Sequence, residues 1–122
     1  MIPPTAGKLS FCIGPSLRTW KDTQNEQVIW LDLTFTGSDQ DALHKGFLDV
    51  NGGRAVFPML YRIDDMYEDV VYTEHEAKDL RNECLRVKEI REGQTEIGGL
   101  DKLLYACEKA MSKNYGIYMA SD

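Results

Sequence analysis

Gln27-Val28-Ile29-Trp30-Leu31-Asp32-Leu33-Thr34-Phe35 puts Ile29, Leu31, Leu33 and Phe35 on one side of an extended chain and Val28, Trp30, Asp32 and Thr34 on the other. A period of two with a carboxylate in the second set reads as a strand whose sheet has one face on a core and one partly in water, the habit of antiparallel sheets. Lys8 to Ile13 alternates in the same way, with Leu9, Phe11 and Ile13 opposed to Ser10 and Cys12, until Gly14-Pro15-Ser16 stops it. From Arg54 to Ile63, Phe57, Met59, Tyr61 and Ile63 again fall in register. Pro58 has no N–H to give a ladder, so this expected third strand is placed at an edge or a bulge. Gly116-Ile117-Tyr118-Met119 is expected as a short closing strand. Trp20, in the loop from Ser16 to Glu26, is expected to tuck against the core, and Trp30 to cover the sheet.

The remainder reads as helix. Ser38-Asp39-Gln40-Asp41 is positioned to cap one or two turns carrying Leu43, Phe47 and Leu48, with Asn51-Gly52-Gly53 turning into the next segment. Thr73-Glu74-His75-Glu76 is a capping box, and Tyr72 and Ala77 are expected to form its hydrophobic staple. Glu74, Glu76 and Asp79 then crowd the start of that helix and Arg86, Lys88 and Arg91 its end, as the helix dipole favours, and Gly93 ends it. A second helix spans about Leu100 to Lys113 on the stripe Leu100, Leu103, Leu104, Cys107 and Met111, with Asn114 suited to a left-handed terminus. The expected fold is α+β: one domain over residues 1–122, an antiparallel sheet of about four strands with two helices packed on one face.

Composition narrows the function classes. The chain has 122 residues, 14 Lys+Arg against 20 Asp+Glu and a net charge of −6, which argues against nucleic acid and anionic membranes and favours a basic protein partner. No apolar run approaches the roughly 20 residues of a membrane span, and no signal-peptide pattern opens the chain. Cys12, Cys84 and Cys107 are too few and too scattered for a disulfide framework, which points to a reducing, cytoplasmic setting. Cys84 and Cys107 lie on the apolar stripes of their helices and read as packing residues, while Cys12 faces away from its strand's apolar set. No metal-ligand spacing, phosphate loop or nucleophile motif accompanies His44 or His75, so no metal, cofactor or catalytic residue is assigned.

The most distinctive stretch runs from Asp64 to Asp79, with seven carboxylates, one lysine, and Met66, Tyr67, Val70, Val71 and Tyr72 interleaved. Glu74, Glu76 and Asp79 are explained by the helix start, but Asp64, Asp65, Glu68 and Asp69 are not. A calcium loop would need alternating oxygen ligands and a turn glycine, both missing here. A protein-recognition surface fits better: Asp64, Asp65, Glu68 and Asp69 steer a basic partner, and Tyr67 and Tyr72 anchor it.

Size, acidity, this acidic-aromatic segment and the lack of catalytic motifs together resemble the small acidic immunity proteins that bacteria make against their own polymorphic or contact-delivered toxins. The resemblance implies a protein-binding inhibitor that neutralises a cognate, basic toxin by direct contact. Two other readings stand beside it. One is a small enzyme or ligand-binding domain with a pocket between sheet and helices, where Asp32 or Glu68 and a histidine do acid–base work. The other is a subunit whose apolar surface is satisfied by forming a homodimer.

Overall fold

Strand β1 (Leu9–Gly14) alternates Leu9, Phe11 and Ile13 inward, and each is essentially inaccessible to water. It leads through a 3-10 turn at Trp20–Gln24 to β2 (Ile29–Phe35) and then to helix α1 (Gly37–His44). A 3-10 turn at Leu48–Val50, the four-residue helix α2 (Gly53–Val56) and a further 3-10 turn at Leu60–Arg62 follow. Strand β3 (Val70–Tyr72), helix α3 (Glu74–Ile90), helix α4 (Gly98–Ser112) and strand β4 (Gly116–Ser121) complete the chain. This computed structural model describes residues 7–64, 67–93 and 97–121.

The four strands form one antiparallel sheet in the order β2-β1-β4-β3, so the architecture is the expected α+β one. Register follows side-chain parity. Phe11 pairs with Met119 and Ile13 with Ile117 on the core side, while Cys12 sits between Trp30 and Tyr118 on the opposite side. Between Ser10 and Cys12 the β1–β2 ladder slips, because Leu31, Asp32 and Leu33 of β2 span the place of Phe11 alone. On the core face lie α3, through Ala77, Leu80, Cys84 and Val87, and α4, through Leu100, Leu103, Ala106, Cys107 and Ala110, all buried.

The capping box forms as the spacing requires: Glu76 N–H donates to Thr73 Oγ1 at 3.1 Å and Thr73 N–H to Glu76 Oε1 at 2.9 Å. Asn114 takes the left-handed conformation at the end of α4, with φ 56°. Helix α1 is capped by Thr36 rather than by the Ser38–Asp41 stretch, in a reciprocal pair of bonds with Asp39.

The third strand is the main correction. Arg54 to Ile63 is not extended, and the strand that completes the sheet is Val70–Tyr72. In the 54–63 segment the buried residues are Phe57, Leu60 and Ile63, a spacing of three that matches a tight helical turn and not a pleat. Side chains take up backbone groups that a ladder would have used. Glu83 accepts the amides of Met59 and Leu60 at 3.1 and 2.9 Å, Gln40 donates to the Ile63 carbonyl at 3.1 Å, and Tyr72 Oη donates to the Met59 carbonyl at 2.6 Å. Gly52 and Gly53, at φ +104° and +56°, make the sharp entry that only glycine takes readily.

Candidate functional site

The sheet has a second face, and its chemistry differs from the first. Ser10 and Cys12 of β1, Trp30, Asp32 and Thr34 of β2, Tyr118 and Ala120 of β4 and Val71 of β3 share it by parity. The β1–β2 connection folds over its middle: Leu17 is fully buried with Cys12, Tyr118 and Ala120, and Val28 and Val71 flank them. Asp22 fixes that connection by accepting the amides of Arg18 and Thr19 at 2.7 and 2.8 Å, and Thr23 Oγ1 donates to the Trp20 carbonyl at 2.6 Å.

This connection delivers Trp20 to the sheet without covering it. The Trp20 ring lies 6.0 Å from Trp30 and 6.3 Å from Tyr118 (centroid to centroid), tilted by 59° and 58°. Trp20 remains 52% exposed and Trp30 45% exposed. The expectation that Trp20 tucks into the core is therefore overturned: the small Cys12, Leu17 and Ala120 fill the space beneath, and the indole is left outside. Two large aromatic rings are thus held against each other with about half their surface in water.

A carboxylate edges this aromatic cluster. Asp69 Oδ2 accepts the Tyr118 hydroxyl at 2.5 Å, and Oδ1 accepts the Ser121 amide at 2.8 Å and its hydroxyl at 3.0 Å. Burial raises the Asp69 pKa, but the bonds from Tyr118 and Ser121 outweigh it and hold the carboxyl below its usual range. Burial, and then the same bond to Asp69, push the Tyr118 phenol well up. Asp69 thus stays ionised beside the rings, with Glu68 exposed next to it and Tyr67 61% exposed.

The other residues expected to bind a partner are placed elsewhere or lie outside the described residues. Asp64 pairs with Arg54 at 3.1 Å, both side chains more than half exposed, and its charge acts on His44. Asp65 lies outside the described residues. Tyr72 is fully buried, its hydroxyl held by Met59 and its ring under the Arg62 guanidinium at 5.4 Å, so it has no surface to offer. It points inward because β3 parity sends Val70 and Tyr72 to the core and Val71 to the other face. The acidic segment is divided between two places, with Asp69 beside the aromatic face and Asp64 at the His44 cluster.

That second cluster bears on the pocket reading. The His44 ring packs 4.7 Å from Tyr61, whose hydroxyl is held by Asp49, while Arg54 lies 5.5 Å from the Tyr61 centroid. His44 is 91% buried, and its Nε2 is shielded from water with no hydrogen-bond partner among the described residues. A general base has to reach its substrate's proton. This nitrogen is closed in by its own fold, so we treat the ring as a packed core group. Asp32, the carboxylate of that reading, is exposed on the open face. Cys12, Cys84 and Cys107 are free and buried, and burial pushes the Cys12 and Cys107 thiols up to about 12, far from reactive thiolates. Among the described residues no group of three or more His, Cys, Asp or Glu is arranged to hold a metal ion, and no helix is long and apolar enough to cross a membrane.

His44 does predict a pH dependence. Burial lowers its pKa, against the Leu60 backbone bond and the charges of Asp49 and Asp64, so the unfolded chain takes up the proton more readily than the folded one. Stability is therefore full above the unfolded value of about 6.5 and falls as pH drops below it. Urea midpoints measured between pH 7.5 and 5.5 should decline for the native chain and decline less for His44→Leu. Parallel curves for the two proteins would show that His44 is not the group responsible.

No protein-family model, curated protein or solved structure matches the chain.

Proposed function

We propose that this chain is a protein-binding inhibitor of the immunity type, which neutralises a basic toxin by covering a functional surface of it. The observation that carries the reading is the pair of half-exposed tryptophans, tilted against each other on the open sheet face and edged by an ionised Asp69. Interface energy concentrates in rigid aromatics near the centre of a patch, and surrounding carboxylates speed encounter with a basic surface. The net charge of −6 acts in the same sense at longer range. In this reading Trp20 and Trp30 are the anchors, and Glu68 and Asp69 the steering groups, with Tyr67 and Asp64 further out on the acidic segment.

The test is affinity capture from the native host's lysate, followed by assay of the captured partner. The expected result is one stoichiometric basic protein that elutes as salt rises and whose activity is lost when the chain is added back. Trp20→Ala/Trp30→Ala, whose changes lie on a half-exposed surface, should fold normally and weaken capture by at least about a hundredfold, the scale of two hot-spot truncations. Equal capture by wild type and variant would overturn the site. A captured partner whose activity the chain leaves untouched would overturn the inhibitor reading.

A further inference from the structure

The sheet order places β2 at an edge, and its outer side is unusual for an edge. Among the described residues, the backbone of Ile29–Phe35 makes no hydrogen bond beyond its ladder with β1. Natural edges are commonly blocked by lysine, proline, a β-bulge, a very short strand or a covering element, and of these β2 carries the slip at Leu31–Leu33 opposite Phe11. The opposite edge, β3, is three residues long, whereas β2 runs for seven without a lysine or a proline. Its only charge is Asp32, which is exposed, and Ile29 and Trp30 are 40% and 45% exposed.

Parity describes what would pair there. On the helix side an added strand would meet Ile29, Leu31 and Leu33, which leave part of their surface open; on the other side it would meet Trp30 and Asp32. A strand with apolar residues at alternate positions and lysine or arginine between them satisfies both faces. Its apolar side chains extend the core, and its cations sit over the Trp30 ring and against Asp32. A second copy of this chain fits poorly. Antiparallel pairing of β2 with itself about its midpoint sets Asp32 opposite Asp32, and each chain carries a net charge of −6.

We infer that the partner donates an extended basic-apolar segment that adds to the open edge of β2 as a fifth strand of this sheet. The inference rests on the protein-binding reading above and specifies the chemistry of the partner and its mode of docking.

The probe is a capped heptapeptide, Lys-Val-Lys-Val-Lys-Val-Lys, titrated into the isotope-labelled full chain and followed by amide NMR and hydrogen exchange. Its controls are the same peptide with alternate amides N-methylated and one with glutamate in place of lysine. Expected are saturable shifts and at least about tenfold slower exchange at the β2 amides, absent with both controls, and roughly tenfold weaker binding to Asp32→Lys. Shifts at the Trp20 and Trp30 indoles without protection of β2 would overturn strand addition and leave the protein-binding face standing. No response at either place would overturn this inference alone, because capture of the native partner tests the broader reading separately. Protection of β2 that rises with protein concentration and no peptide would assign the edge to a second copy and overturn it too.

Discussion

Tyr72→Ala is expected to lower the unfolding free energy by about 3–5 kcal/mol, the range for deleting a fully buried aromatic from a core that cannot collapse around the gap. Tyr72 is 0% exposed and is the largest of the fully buried side chains. Its ring lies beneath the Arg62 guanidinium, which donates to the Val71 carbonyl at 2.8 Å and also pairs with Glu76. Tyr72 Oη holds the Met59 carbonyl, so the same side chain ties the short helical turns after α2 to the sheet. Removing only the hydroxyl, in Tyr72→Phe, takes away one of the two donors to that carbonyl, leaving the Arg62 amide at 3.2 Å, and should cost about 1 kcal/mol. Urea unfolding followed by circular dichroism measures both variants. Partner affinity separates this role from the one its sequence context suggests, since Tyr72→Phe should bind as the native chain does. A tenfold loss of affinity with little loss of stability would put Tyr72 in the interface after all.

The position of Tyr72 also shows where local pattern carries structure and where it stops. β1 and β2 alternate over enough residues for a period of two to stand out, β4 shows itself as a short apolar run after the turn that ends α4, and α3 announces its start through the Thr73–Glu76 box. Those elements are legible because the information is local. Phe57, Met59, Tyr61 and Ile63 mimic a pleat only because Phe57 and Ile63 are six apart, a separation divisible by two and by three. Leu60, buried between them, belongs to the second period. β3 is too short for its alternation to be read, and it lies inside a run whose charge draws attention to its flanks.

The candidate site was harder to see, for a related reason. Trp20, Trp30 and Tyr118 are each visible as aromatics in loop or strand, but nothing near any of them in sequence says that they meet. The meeting depends on β1 pairing with both β2 and β4, which puts Trp30 and Tyr118 on either side of Cys12. That Cys12 faces away from its strand's apolar set was the available signal. A small buried residue on the wetter face of a central strand implies that something covers it, and here the cover is the loop bearing Leu17 and Trp20. Asp69 likewise acquires its role from Tyr118, which lies 49 residues away.

Asp39→Ala should produce the second large loss, about 2–3 kcal/mol, because one carboxylate serves two structures at once. Asp39 Oδ2 accepts the Thr36 amide at 2.9 Å, completing the cap of α1, and also accepts Lys102 Nζ from α4 at 2.7 Å. Both partners are largely buried, the Asp39 side chain 14% and the Lys102 side chain 31% exposed. The elements come this close because residue 99 has no side chain: a Cβ there would lie 2.7 Å from Phe35 Cε1 and 3.0 Å from Asp39 Cβ. Truncation to alanine therefore removes a capping bond and leaves an ammonium half out of water with no counter-charge. If that stranded charge is the larger part, Asp39→Ala/Lys102→Met should be more stable than Asp39→Ala alone, whereas a pure capping loss would persist in the double variant. The pH dependence has a definite sign. Burial raises the Asp39 pKa, but the bonds from Lys102 and Thr36 outweigh it, so the folded carboxyl titrates below its unfolded value of about 3.9. Its contribution is present above that pH and is lost as pH falls through the folded value, so wild type and Asp39→Ala should converge in acid. A stability gap that stays constant from pH 7 to pH 2.5 would mean that the Asp39 charge contributes nothing and that only its shape and packing matter.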